Sequence, residues 1–146
     1  MSKVQTSKFY SDVELKIKSF LNSNLTDPIV NRGQKTPFVV IGSELQRDVQ
    51  YPHVVIQLIS GTATMFAVSS NGLVHKLIVQ VMISSKNKKQ LNEISDELLE
   101  IMRNGRQTMQ SFGLWKMQSN YRKLTFDETT AVHRRVIDFS FVYHQM

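Results

Sequence analysis

The stretch 73–84, LVHKLIVQVMIS, alternates apolar and mixed residues at a period of two, and the stretch 90–103, QLNEISDELLEIMR, changes to the period of a helix. In the first, Leu77, Val79, Val81 and Ile83 fall on one side of an extended chain. In the second, Leu91, Ile94, Leu98, Ile101 and Met102 make a stripe along one helical face, with Glu93, Glu97 and Glu100 on the wet side. A strand running directly into an amphipathic helix that can lie on it predicts an α+β fold. Asn87 followed by Gln90 fits a capping box at the start of that helix, and Gly105 suits a left-handed stop just beyond its end.

Working backwards, Asn71-Gly72 is a strong hairpin signal, because both central residues of a tight type I′ turn need positive φ. A two-residue loop there would set Phe66 opposite Leu77 and Val68 opposite His75, within a partner strand over Thr64 to Ser69. Before it, His53 to Ile59 is rich in β-branched residues and begins after Tyr51-Pro52, so it reads as a strand that Ser60-Gly61 closes. Phe38 to Ile41 is a shorter strand, reached by a polar connection from Asn31 to Thr36, and Gly42 to Gln50 is an exposed loop. At the start of the chain Phe9, Val13, Ile17, Phe20 and Leu21 recur on one helical face, which predicts a first helix over about Ser7 to Asn22. Asp27-Pro28 excludes helix at Asp27.

Working forwards, Phe112-Gly113-Leu114 leads into a partly exposed strand over Trp115 to Arg122. Thr125 to Thr130 reads as a polar loop, and Arg134 to Tyr143 as a last strand with Ile137, Phe139, Phe141 and Tyr143 in strict alternation. The expectation is one mixed, largely antiparallel sheet of about four to six strands with two amphipathic helices packed on one face. With 146 residues and no internal repeat, residues 1–146 read as a single domain.

Composition narrows the chemistry. There is no cysteine, so disulfide frameworks, thiolate metal sites and thiol catalysis are excluded. The six glycines are dispersed, and neither the dinucleotide nor the P-loop pattern occurs. His53, His75, His133 and His144 lack the spacing of a zinc hydrolase, and no serine sits in a nucleophile elbow. No catalytic, cofactor or metal residues are therefore assigned, and no cofactor is expected. No window has the apolar length of a membrane helix, and the polar stretch Met1 to Lys8 is unlike a signal peptide, so the chain is expected to stay where it is made and to meet no membrane.

The net charge of +6 favours an acidic partner such as nucleic acid, although the cations are scattered in short groups that more often solvate a surface. Trp115 and Tyr121 beside Lys116, Arg122 and Lys123 could stack bases as a small nucleic-acid-binding module; an amphipathic strand with partly buried aromatics is the stronger reading. One feature resists a bland account. If the odd positions of 73–84 face the helices, Ile78 and Met82 point away from them, as do Val136 and Val142 against Ile137, Phe139 and Phe141. Four apolar residues on a side that water should cover suggest a second sheet face covered by protein, most simply another subunit.

The order of a first helix, a Pro-initiated strand (Tyr51-Pro52-His53-Val54-Val55-Ile56), a hairpin, a helix with Leu98-Leu99, a Gly-containing turn and an Arg-preceded aromatic strand (Arg134 to Tyr143) resembles the tail-terminator, or tail-completion, proteins of long-tailed bacterial and archaeal viruses. The similarity runs from about Phe9 to Tyr143 as a pattern of elements and length. It implies a structural subunit of the virion tail or neck, assembled in the host cytoplasm, that forms a homo-oligomeric ring, usually a hexamer, on the last ring of the tail tube. The implied partners are further copies of itself, the tail-tube protein and a head-neck or connector protein, and the resemblance leaves room for a contact with DNA in the lumen. The residues placed at a subunit or tube interface on this expectation are Ile78, Met82, Val136, Val142, Trp115, Lys116, Tyr121, Arg122, Lys123, Arg134 and Arg135.

Overall fold

A computed structural model describes residues 9–29, 32, 37–42, 50–65, 73–121 and 124–145, with backbone alone at 9, 60–65, 73, 121 and 144–145. The order of elements is α1 (Phe9–Asn24), β1 (Val39–Ile41), β2 (His53–Met65), β3 (Leu73–Ser85), α2 (Lys88–Asn104), α3 (Arg106–Ser111), β4 (Trp115–Tyr121), β5 (Thr125–Asp127) and β6 (Val132–Gln145). Six strands form one sheet in the order β1-β2-β3-β6-β4, with β5 also on β6. Among the described residues only the β1–β2 pair is parallel. The α+β expectation holds, with the short α3 added.

The two longest alternating runs lie side by side at the centre. β3 and β6 pair antiparallel without interruption from Leu73↔Gln145 to Ser85↔His133. Leu77, Val79, Val81 and Ile83 therefore stand on the same side as Phe141, Phe139 and Ile137, and all seven are at most 1% exposed. Onto that side α2 brings Leu91, Ile94, Leu98 and Met102, and α1 brings Val13, Ile17 and Leu21, all in one core cluster. Each such side chain contributes roughly 1.5–3 kcal/mol by leaving water. The Glu97 carboxylate, accepting from the Thr26 N–H at 2.8 Å, ties the end of α1 to α2.

Helix α2 starts as its cap residues require, with one change of partner. Asn87 Oδ1 accepts from the N–H groups of Lys89 (2.9 Å) and Gln90 (3.2 Å). The Gln90 side chain does not return to the Asn87 N–H. Ser85 Oγ accepts that N–H at 3.1 Å and lies 2.8 Å from Gln90 Oε1, so the buried serine at the end of β3 completes the box. Ser95, also buried, donates to the Leu91 carbonyl at 2.7 Å.

Gly105 is a correction. Its φ is −88°, not left-handed, and its N–H continues the helical pattern to the Ile101 carbonyl at 2.8 Å, which lets α3 follow α2 directly. A glycine is needed there for space: a Cβ would lie 2.3 Å from the Phe20 ring. The left-handed position is Gly113, at φ +93°, where a Cβ would also meet the Tyr143 ring at 2.5 Å.

Two strand expectations also change. β2 does not close at Ser60-Gly61 but runs on to Met65, absorbing the irregularity as a bulge between Leu58 and Ser60. β1 has ended by then, and Glu14 Oε2 on α1 accepts the Leu58 N–H at 3.2 Å. The hairpin register is likewise displaced: His75 faces Ala63 and Leu77 faces Gly61, not Val68 and Phe66. A ladder of twelve pairs outweighs the preference of one dipeptide for a two-residue turn. Phe66, Val68 and the Asn71-Gly72 turn lie outside the described residues, as do Ser7, most of the 31–36 connection and residues 43–49 of the expected loop.

The third change lies at the edge. Thr125 to Asp127 is strand, not loop, and pairs with Arg134 to Val132. Tyr121↔Ile137 and Thr125↔Arg134 set four steps on one side against three on β6, so β4 and β5 lie along the same edge of β6 with their registers offset by one residue. The run Thr-Phe-Asp is polar enough for a loop because an edge strand need bury little.

Gly113→Ala should destabilise the fold by at least about 2 kcal/mol, through positive φ together with the Tyr143 clash, and Asn87→Ala by about 1 kcal/mol. Denaturant unfolding followed by circular dichroism measures both; equal, negligible losses would contradict these assignments.

Candidate functional site

The side of the sheet turned away from the helices is built of cross-strand rows. Because directly paired residues share a face, the register identifies each row. One row is apolar: Val40↔Val55↔Met82↔Val136, across β1, β2, β3 and β6. The next is polar: Gln57↔Gln80↔Asp138↔Asn120, ending on β4. Then come Ile78↔Ser140↔Gln118 and Lys76↔Val142↔Trp115. In the other direction lies His53↔Ser84↔Arg134↔Thr125.

The four apolar residues expected on the second face are all there and all half-buried. They do not form one patch. Met82 and Val136 are direct partners, Ile78 is separated from them by the Gln80/Asp138 row, and Val142 lies at the far end beside Trp115. Val40 and Val55, in the Met82 row, are 3% and 6% exposed yet stand outside the main core, so that end of the face is closed within the chain itself. Sequence reasoning missed these two because nothing local says that Val40 and Met82 share a row.

The remaining expected residues divide. Trp115 is 47% exposed at the start of β4, and Lys116 follows in a bulge with φ +53°. Arg134 belongs to the face away from the helices, opposite Ser84, whereas Arg135 pairs with Ile83 and belongs to the helix side. The side chain of Tyr121, and Arg122 and Lys123 altogether, lie outside the described residues.

A cationic corner stands at the start of β2. Arg32 donates from Nε and Nη2 to the two Asp27 oxygens (2.6 and 2.9 Å), from Nη1 to the Gln50 carbonyl (2.9 Å) and from Nη2 to the Pro52 carbonyl (2.6 Å). Its guanidinium also lies 5.2 Å from the Phe38 ring centre. Burial alone would raise the Asp27 pKa, but hydrogen bonds from Arg32 and the Ile29 N–H and the Arg32 charge outweigh it, and the pKa is lowered. This clamp binds the segment after α1 to the cis Tyr51-Pro52 turn that launches β2.

Beside it, His53 is 5% exposed, and burial, then the charges of Arg134 and Arg32, lower its pKa from 6.5 to about 4. Among the described residues its Nδ1 and the fully buried Ser84 Oγ have no hydrogen-bond partner. Asp127 does little to neutralise this corner. Its carboxylate turns to Thr130 and the Thr129 N–H, which lower its own pKa, and stands 3.7 Å from Arg134. Among the described residues no group of three histidines and carboxylates could hold a metal ion, and no helix is long and apolar enough to cross a membrane.

The architecture defines a class of protein in which surfaces, rows and edges of one sheet carry the distinguishing residues. The family model "Tail completion protein gp17" matches residues 27–144, from just after α1 to the end of β6, and the chain belongs to that family. It is thus a structural protein of a viral tail, one that works among other virion proteins. No curated protein matches the chain.

The His53 geometry fixes a pH dependence. The unfolded chain binds the His53 proton more tightly, so the stabilising effect of keeping it neutral is complete above about pH 6.5 and is lost as pH falls towards 4. The loss should reach roughly 3 kcal/mol at most. Denaturant midpoints between pH 7 and 4 should fall less steeply in His53→Asn; an unchanged slope would remove His53 as the cause.

Proposed function

We propose that the chain forms a ring, of six copies by the family's usual form, on the last ring of the tail tube, where it ends tube polymerisation and offers a surface to the neck of the head. Its partners on this reading are copies of itself, the tail-tube protein and a head-neck or connector protein. Membership of the tail-completion family over residues 27–144 is the observation that carries it. The sheet supports it in kind. One face is consumed by the core, and the other keeps Ile78, Met82, Val136 and Val142 half-buried, together with the exposed Trp115, as apolar area for a neighbour or the tube. Lys116 and Arg134 add cations around that area, Arg135 lies on the helix side of the same strand, and Tyr121, Arg122 and Lys123 follow β4 in sequence.

A second reading, a nucleic-acid contact, draws on Trp115 with Lys116 after it and Lys76 two strands away in the same row. Asp138 stands on the same face and opposes it. The first reading is therefore preferred. If DNA is bound, affinity must fall steeply with salt.

Purified tail-tube protein polymerised with and without this chain separates the outcomes. Tubes should stop growing and carry one extra ring at one end when the chain is present, and Met82→Arg should weaken capping while leaving the circular dichroism spectrum unchanged. Tubes that lengthen equally in its presence would refute the capping role.

A further inference from the structure

Cations gather at the end of the sheet where β2 begins, β3 ends and β6 begins, with His53, Ser84 and Arg134 as direct partners in one row. Beyond Ser85 come Lys86 and then Lys88 and Lys89 at the start of α2, all three exposed, and on β6 Arg134 is followed by Arg135. Against these five cations stand Asp127 and Glu128, at the end of β5 and in the turn after it, while Arg32 and Asp27 cancel within their clamp. This end therefore carries a formal charge of +3, half of the +6 of the whole chain.

The fold itself gains nothing from that charge. Lys88 and Lys89 occupy the first turn of α2, where the helix dipole favours acids, and no acid stands in that turn; Glu93 lies a turn further on. Lysines that served only to solvate would do so equally well elsewhere, without opposing the dipole. In the row itself burial, and then the charges of Arg134 and Arg32, hold the His53 pKa at about 4. Positive charge thus prevails here although Asp127 stands 3.7 Å from Arg134.

The kinds of side chain indicate the ligand. Lys86 Nζ lies 5.6 Å from the centre of the Tyr51 ring, which is itself 5.1 Å from that of His53, so Tyr51 is engaged on the protein and is no open platform for an unstacked base. Asn87, whose amide has the shape to read a base edge, uses its Oδ1 to cap α2. What remains is ammonium groups on flexible stems beside one guanidinium on this face, which meet phosphate oxygens as point charges without reading sequence. An acidic protein surface is matched best by forked arginine pairs; three of the five cations here are lysines.

We propose that this end of the sheet, through Lys86, Lys88, Lys89 and Arg134, is a contact for the phosphate backbone of double-stranded nucleic acid, independent of base sequence. It lies at the other end of β3 from the Lys76–Trp115 row. It does not depend on the ring reading, since the free chain carries all four side chains.

A short labelled DNA duplex titrated with the whole protein, and followed by fluorescence anisotropy over a series of salt concentrations, tests it. Four neutralised phosphates give a slope of about −3.6 in log affinity against log salt. Lys88→Gln combined with Lys89→Gln should keep the circular dichroism spectrum, weaken binding at low salt by at least about tenfold and reduce the slope by about 1.8. Arg103→Gln combined with Arg106→Gln removes the same charge from exposed positions at the far end of α2 and should leave the slope unchanged. No binding at low salt, or equal losses in the two double variants, would overturn the proposal. So would loss of binding in Lys76→Gln, which would move the contact to the Trp115 row, or tighter binding of the separated single strand. Displacement of the duplex by poly-glutamate at equal charge would show a surface for acidic protein and would likewise overturn it.

Discussion

The antiparallel pairing of β3 with β6 is the constraint on which the rest depends. Thirteen consecutive pairs without a bulge fix the parity of both strands over their whole shared length. A slip of one residue would set Phe139 and Phe141 on the opposite face from Val79 and Val81, taking one strand's set out of the core, and so the ladder has a single usable register. The other elements answer to it. α2 packs its apolar stripe over β3 and β6, and α1 covers β1 and β2 beside it. Irregularity is displaced outwards, into the bulge of β2 at Leu58/Ser60 and the two breaks in the β4–β5 edge.

This distribution connects the fold with assembly. A ladder regular at its centre and irregular at its margins gives a rigid plate whose edges differ from one another: three residues of parallel β1 on one side, an interrupted antiparallel strand on the other. The Arg32 clamp and Glu14 serve the β1 side, taking up backbone groups of Gln50, Pro52 and Leu58 that the short strand leaves without a ladder. The helix-free face is graded as well, from the buried Val40–Val55 end to the exposed Trp115 end. A tail component that works among other virion proteins can use such inequivalent surfaces to meet different neighbours.

How far the sequence led depended on the range of the signal. Period-two alternation in 73–84 and 134–143 and the helical stripe of 90–103 are local, and β3, β6 and α2 lie where those patterns put them. The sides taken by Leu77, Val79, Val81 and Ile83 followed from parity alone. Signals that depend on competition misled. Asn71-Gly72 favours a two-residue turn, but the ladder set the register; Ser60-Gly61 resembles a stop, but a bulge absorbs it; Gly105 resembles a left-handed cap, but makes room for Phe20. The candidate surface was legible only in part. That Ile78, Met82, Val136 and Val142 oppose the helices followed from parity, but their division into separate rows, the burial of Val40 and Val55 beside them and the edge strand at Thr125–Asp127 depend on pairing between strands far apart in sequence.

The central claim is that this chain is the ring that completes the tail, and an electron-microscopic reconstruction of assembled tails tests it most directly. The account predicts a single ring of this chain at the head-proximal end of the tube, with the helices of each copy against the core face of its sheet. Tails of normal length that lack the chain, or that carry it at the opposite end, would contradict it.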